Sequence, residues 1–427
     1  MSDTPMLLEG QALSIDLCSR FISEIGVRVR KNLLSHEIEV TGRLSGYSEA
    51  NAANTFPVIL ADLLKTNGVR GVTTNGVREI LSCIADADRY NPIEDFLKNI
   101  KWDEQDRFPG LYNILGISDN QMYQTLTRKW MIQSVALALN DEKKAIGAEG
   151  ILVLAGAQGI GKTSVFRALV PDPHWFAEGV TLDLRNKDDI MRATSAWICE
   201  LGELDGTTKK EQPALKAFIT QPYDMIRYPY DRATTRVARR TSFCGTVNET
   251  NFLRDPTGNR RFWVLHVDDI NKKALLSLPY DSKAQLWAQT YQMYKDNPSS
   301  FRLTQQEMEW LQGNNRQYDA PLPYETEIRE LLDWSLPFDQ WEWWTASRLI
   351  NCGLIRAGCG EARQVGRALS RVVEDFQQRG VVCDDGGPIK RTQRGTTKYF
   401  IPLHSFTVVQ GGSAKVESVE GWKAQRS

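Results

Sequence analysis

The chain has 427 residues, enough for about three domains of ordinary size. With 41% apolar and 25% charged residues it is neither disordered throughout nor fibrous. Its 52 basic and 53 acidic residues leave a net charge of −1, which excludes a uniformly basic nucleic-acid coat but permits a local basic patch.

The longest apolar runs, Val135–Leu139 and Ile151–Ala157, fall short of the ~18 residues a membrane span needs. Asp3 and Glu9 stand where an export signal would carry Lys or Arg, so no export signal is expected. Seven scattered cysteines with no CxxC, and four widely separated histidines, fit a reducing cytoplasm without a zinc site or disulfide framework.

In chain order, residues 1–88 read as a small mixed α/β domain, with helical spacing at Leu13–Ile25, Asn51–Leu64 and Asn75–Asp86 and a short strand at Glu37–Thr41. Residues 89–145 form a helical connecting region that opens at Asn91-Pro92 and is broken near Phe108-Pro109-Gly110. From residue 146 to 322, short apolar strands (Ile151–Ala155, Trp197–Cys199, Phe243–Val247, Phe262–Val267) alternate with helices, which predicts a mainly parallel α/β sheet. Gly313–Tyr324, rich in Gly, Asn and Pro, reads as a linker. Residues 323–404 are expected to form a compact unit of helices followed by two short strands, and residues 405–427 a frayed tail.

Gly156-Ala157-Gln158-Gly159-Ile160-Gly161-Lys162-Thr163 matches GxxxxGK[ST] in full, between an apolar strand and a helix opening at Ser164. Such a loop turns its N–H groups toward phosphates; Lys162 is expected at the β- and γ-phosphates of ATP and the Thr163 hydroxyl on Mg²⁺. Average residue usage makes a chance match in a chain of this length roughly a one or two per cent event.

Ala196-Trp197-Ile198-Cys199-Glu200-Leu201-Gly202-Glu203 is an apolar strand ending in two acids. Phosphoryl transfer needs one carboxylate on the metal, here through water, and another polarising the attacking water. Glu200, at the strand end, is favoured for the metal and Glu203 for the base, although the two roles are interchangeable at this level. Phe243–Val247 is a further apolar strand, and Asn248 at its end is placed to sense a γ-phosphate and orient water.

Between these elements, Met225–Arg240 has two β-like arms around a polar turn at Asp231–Thr234, the signature of a hairpin. Residues 225–261 hold eight arginines against three acids, a footprint for phosphates of either a DNA backbone or a neighbouring subunit's ATP. Arg232, Arg236 and Arg239 are the candidate DNA contacts. Arg260 and Arg261, just before the last strand, are candidates for stabilising γ-phosphate charge from a neighbouring subunit.

Taken together, GAQGIGKT, WICELGEL, RYPYDR, GTVNE and FLRDPTGNRRFW resemble the virulence-associated E family of phages and mobile genetic elements, which is similar to superfamily 3 helicases. The resemblance is strongest over residues 150–267 and extends upstream through NPIEDFLKNIKWDEQDRF. It implies an AAA+ core, a ring oligomer (commonly six subunits) and ATP-driven movement on single-stranded and forked DNA. It also implies the cytoplasm of a bacterial cell hosting a phage, prophage or satellite. Within it, Lys162 and Thr163 match the loop lysine and hydroxyl, Glu200 and Glu203 the acidic motif, Asn248 the sensor, and Arg260 or Arg261 the arginine finger. Residues 1–88 carry no acidic triad or zinc ribbon of the primase found in many relatives, so priming is assigned to a separate primase or replication protein. An ATP-switched initiator or regulatory oligomer without processive unwinding is the alternative.

The C-terminal unit resembles a winged helix, with helices at Thr345–Cys352 and Ala362–Arg379 and strands at Val381–Cys383 and Tyr399–Pro402. Its Lys390–Lys398 turn carries Lys390, Arg391, Arg394 and Lys398 without an acid, which suits a wing on phosphates. Arg363, Arg367 and Arg371 recur every four residues on the longer helix, a spacing that suits entry into a groove and equally describes a solvated helix face. Trp334, Phe338, Trp341, Trp343 and Trp344 are expected to serve packing, not base stacking.

Overall fold

Five apolar residues in succession, Ile151–Ala155, suit a strand covered on both faces, and in the computed structural model they form the second strand of a five-stranded parallel sheet. The structure describes residues 8–42, 48, 51–202, 204, 211–226, 233–248, 251–254, 259–383, 386–393, 395–404, 406–410 and 413–417. Contacts divide the chain into two units, residues 1–319 and 320–427.

The first unit opens with α1 (Ile15–Glu24), β1 (Val27–Asn32), β2 (Ile38–Gly42), α2 (Ala52–Thr66), α3 (Thr74–Ala87) and the two-residue β3 (Arg89–Tyr90). Ser14 caps α1 by accepting the Leu17 N–H, and Phe56, Leu60 and Val77 lie in a small core of their own. β1 pairs antiparallel with β2 and parallel with β3. β1 was not anticipated, because Val-Arg-Val-Arg alternates over too short a run to stand out.

α4 (Pro92–Asn99), α5 (Phe108–Leu115) and α6 (Gln121–Ala138) follow. Asn91 caps α4 through its side chain, with Pro92 in the first turn. Pro109 likewise sits in the first turn of α5, so Phe108-Pro109-Gly110 starts a helix instead of breaking one. α6 is buried on nearly every side because it lies against the large sheet: Trp130 Nε1 donates to the Phe243 carbonyl at 2.9 Å and Gln133 Nε2 to the Gly150 carbonyl at 2.8 Å.

The core continues with β4 (Ile151–Ala155), α7 (Lys162–Leu169), β5 (Phe176–Val180), α8 (Lys187–Thr194), β6 (Ile198–Leu201) and α9 (Gln212–Thr220). Next come β7 (Tyr223–Ile226), β8 (Thr235–Ala238), β9 (Ser242–Val247) and β10 (Phe262–His266). The sheet order is β10-β4-β9-β6-β5, all parallel, while β7 and β8 pair antiparallel apart from it. β5 carries little signal in the sequence because only Val180 of Phe-Ala-Glu-Gly-Val is fully buried, as an edge strand allows.

α10 (Lys272–Leu276), α11 (Tyr280–Asp296) and α12 (Gln305–Asn315) close the first unit. Buried indoles fasten the layers: Trp197 Nε1 donates to the Ser134 carbonyl, Trp287 Nε1 to the Leu169 carbonyl, and the two rings lie 4.2 Å apart. The boundary between the two units, Asp319/Ala320, falls inside the expected linker Gly313–Tyr324, but the first part of that stretch is regular structure. α12 runs to Asn315, whose Nδ2 donates to the Asn259 and Phe262 carbonyls, and a single turn at Arg316–Tyr318 buries Tyr318.

The second unit comprises α13 (Glu325–Leu331), β11 (Trp341–Trp344), α14 (Ala346–Asn351), α15 (Ala362–Gln378), β12 (Lys390–Gln393) and β13 (Thr396–Pro402), with an antiparallel sheet ordered β11-β13-β12. Three strands therefore replace the two expected. Val381–Cys383 is not a strand; β12 takes that place, and Trp-Glu-Trp-Trp supplies the third. The aromatic residues pack within the unit: Trp334 stacks on Phe376 at 4.1 Å, and Trp341 and Trp343 contact Phe400. Where a frayed tail was expected, β14 (Phe406–Gln410) and β15 (Ser413–Glu417) pair antiparallel.

Candidate functional site

A parallel sheet gathers the C-terminal ends of its strands at one edge, and three separate stretches of sequence meet there. The loop Gly156–Gly161 leaves β4 and feeds α7, which begins at Lys162. Two glycines are required by geometry. A Cβ at Gly156 would stand 2.2 Å from the Val267 carbonyl oxygen, and Gly161 has φ 106°, in the region that favours glycine. Ala157, Gln158 and Gly159 are exposed, Ile160 and Ser164 half-buried.

The ammonium of Lys162 turns back into its own loop, donating to the carbonyls of Gly156 (2.9 Å) and Ala157 (2.8 Å) and to Asn248 Oδ1 (2.8 Å). Thr163 Oγ1 donates to Glu200 Oε1 at 2.7 Å. Glu200 is almost wholly enclosed, yet its carboxylate is satisfied: Thr246 Oγ1 donates to Oε1 at 3.0 Å and the Gly179 N–H to Oε2 at 3.3 Å. Two hydrogen-bonded groups thus meet at the start of α7, Lys162 with Asn248, 86 positions away, and Thr163 with Glu200 and Thr246. Glu203 lies outside the described residues.

Thr246 went unnoticed in the sequence. It sits two residues before Asn248, so the two-residue period of a strand puts both on one face, and that period was the available signal. Lys272 was also missed, with no local pattern to mark it. It follows β10, and its Nζ donates to the Gly159 carbonyl at 2.7 Å.

Arg260 and Arg261 occupy a single turn immediately before β10. They stand at the opposite edge of the sheet from the glycine loop, about 16 Å away over five residues of strand. The preceding Asn259 is fastened by Lys216 Nζ (3.0 Å), by Asp319 (2.7 Å) and by Asn315.

The hairpin arms are β7 and β8, in register from Tyr223 opposite Ala238 to Ile226 opposite Thr235. Arg232 lies outside the described residues. Arg236 is exposed, its guanidinium 3.5 Å from the centroid of the Tyr223 ring. Arg239 corrects the expectation of a DNA contact. Its side chain is 1% exposed, ion-paired with Asp224, bonded to the Phe218 carbonyl and packed over the Phe218 ring. An arginine so enclosed holds the hairpin's base together. Arg240 is buried beside it, against Glu142 and the carbonyls of Leu33 and Ala238.

Loop 33–37 reaches this base, and burial with the Arg240 charge pushes the His36 imidazole down to about 4. In the second unit Lys390 is held by Glu374 at 2.5 Å and Arg371 by Glu325 at 3.6 Å, so both are engaged internally. Arg363, Gln364 and Arg367 remain exposed on α15. Arg391 stands opposite Lys398 across the β12–β13 pair, and Arg394 lies outside the described residues. No helix among the described residues is long and apolar enough to cross a membrane.

The sequence matches the virulence-associated protein E-like domain over residues 97–320. Among solved structures, the chain is similar to the apo NrS-1 C-terminal region, at 11% identity and TM-score 0.45, covering 91% of this chain and 98% of that one. It is also similar to the JCV helicase, at 10% identity and TM-score 0.30, covering 72% of this chain and 98% of that one. No curated protein matches the sequence.

Proposed function

The chain belongs to the family of virulence-associated protein E-like domains, and from that premise we propose that it is an ATP-dependent DNA helicase or translocase that works as a ring of AAA+, superfamily 3-like subunits in the replication of a phage or mobile element. The observation that carries this reading is that the two residues after the glycine loop each bond a strand-end side chain, Lys162 to Asn248 and Thr163 to Glu200. The N–H groups of residues 160–163 cradle the phosphates of ATP, and Lys162 leaves the loop carbonyls for the β- and γ-oxygens.

Thr163 Oγ1 and the Glu200 carboxylate are the oxygen donors that suit Mg²⁺, Glu200 through water, and their 2.7 Å contact puts them where one ion meets both. When bound, the ion would offset the charge of the phosphates. Asn248 orients the attacking water, and Glu203 takes its proton.

Arg260 and Arg261 stand at the far edge of the sheet from their own loop, so the γ-phosphate they serve is a neighbour's, which makes the active site a subunit interface. Arg236 on β8, together with Arg232, grips single-stranded DNA. The second unit has the helix–strand–helix–helix–strand–strand order of a winged helix, which supports duplex binding through the exposed face of α15 and the β12–β13 wing. The test is ATP hydrolysis stimulated by single-stranded DNA together with strand displacement on a forked duplex. Duplex-site binding without displacement would refute the helicase reading in favour of an initiator switch.

A further inference from the structure

The sheet order sets a direction for any nucleotide in the loop. Asn248 after β9 and Glu200 on β6 lie to one side of β4, and β10 lies to the other. With the γ-phosphate at Asn248 and Glu200, the phosphate chain runs across the loop and the ribose and base leave on the β10 side. Lys272 stands there. It belongs to the first turn of α10; its Nζ donates to the Gly159 carbonyl at 2.7 Å, and its Cε and Cγ would lie 3.4 and 3.7 Å from a Cβ on Gly161. The segment before it is anchored independently, since the Asn271 N–H donates to the Ile114 carbonyl at the end of α5 at 3.0 Å.

We propose that Lys272 forms the nucleoside wall of the site, in the same subunit as the loop. Its four-carbon stem lies against the ribose and the edge of the base, and its ammonium donates to a ribose oxygen. An ammonium has three N–H groups, and the Gly159 carbonyl takes one. The stem is an apolar surface that an aspartate- or asparagine-lined slot would lack. This inference rests on the ATPase reading and assigns a residue to the end of the nucleotide that the GxxxxGK[ST] loop leaves unheld.

Calorimetric titration of the full chain with ADP, ATP and inorganic tripolyphosphate tests it. Lys272→Ala should weaken ADP and ATP alike by about tenfold, the size of a lost hydrogen bond with its contact, and leave tripolyphosphate unchanged. Lys272→Arg should recover much of the loss. The kcat at saturating ATP should stay near wild type while KM rises. Equal weakening of tripolyphosphate would make Lys272 a fastener of the loop only, and unchanged ADP affinity would remove it from the site; either result overturns the proposal. Failure of the ATPase reading looks different, because the unaltered chain would then bind none of the three. Lys272→Met, which keeps the stem, guards against a folding defect: it should melt like wild type and still lose the ribose hydrogen bond.

Discussion

Arg239 and Arg236 lie three residues apart on one arm of the hairpin, and the structure gives them opposite jobs that mutation should separate. The Arg239 guanidinium meets Asp224 with Nε–Oδ2 at 2.8 Å, both side chains being at most 2% exposed. Arg239→Ala leaves the Asp224 carboxylate enclosed with Gln221 Nε2, at 3.1 Å, as a remaining donor. Removing one partner of a buried pair costs about 3–5 kcal/mol. The first unit spans 319 residues, and at roughly 2.1 cal/mol/K of unfolding entropy per residue its Tm should fall by about 4–8 °C. Arg236→Ala loses only an exposed contact with the Tyr223 ring, worth about 0.5–1 kcal/mol and a degree or two. It should instead weaken single-strand binding and lower the salt slope by about 0.7 if the residue meets one phosphate. Differential scanning calorimetry and fluorescence anisotropy across a salt series read the two effects. Replacing the pair together, Asp224→Leu with Arg239→Met, should recover most of the lost stability. If Arg239→Ala melts like wild type and loses DNA affinity while Arg236→Ala does neither, the division of labour argued from burial is wrong.

Four other outcomes are expected. Lys162→Ala should abolish most ATP turnover and Glu203→Gln should bind ATP without hydrolysing it; normal hydrolysis by Glu203→Gln beside a dead Glu200→Gln would reverse the two acids' roles. Mixing Arg260→Ala or Arg261→Ala subunits with Lys162→Ala subunits should restore part of the ATPase activity, and full activity from a strict monomer would rule out an arginine acting between subunits. Replacing Arg391 and Lys398 with Ala should weaken duplex or fork binding and spare hydrolysis stimulated by single strands, as gel shift and phosphate release would measure. For His36, the folded pKa of about 4 lies below the ordinary 6.5, so between those values the unfolded chain binds the extra proton and stability falls as pH drops, by about 3 kcal/mol in total; His36→Asn should flatten that part of the denaturation profile, and an unchanged profile would exclude His36 as its source.

Much of the architecture was legible because local signals were strong. An unbroken apolar run marked β4 and short, mostly apolar runs marked β6, β9 and β10, and an Asn-Pro pair marked the start of α4. The signals failed where burial is partial or chemistry is borrowed from afar. β5 is an edge strand with one buried side chain, and β1 alternates over only a few residues. Gly, Asn and Pro within Gly313–Tyr324 signal a loop, whereas Asn315 among them is a buried donor to two carbonyls more than fifty residues away.

For the site itself, the sequence by itself determined the glycine loop and the types of side chain around it, since a glycine pattern and strand-end polar residues are local properties of the chain. Which of those side chains meet was decided by the tertiary structure alone. The parallel order β10-β4-β9-β6 brings Thr163, Glu200, Thr246 and Asn248 to one edge and sends Arg260 and Arg261 to the other. The same holds for the eight arginines that looked alike as a cluster of charge. Arg239 is spent on Asp224 in the interior, whereas Arg236 faces solvent. Charge is written in the sequence, but the solvent and partners that decide what a charge does are supplied by residues folded against it from elsewhere in the chain.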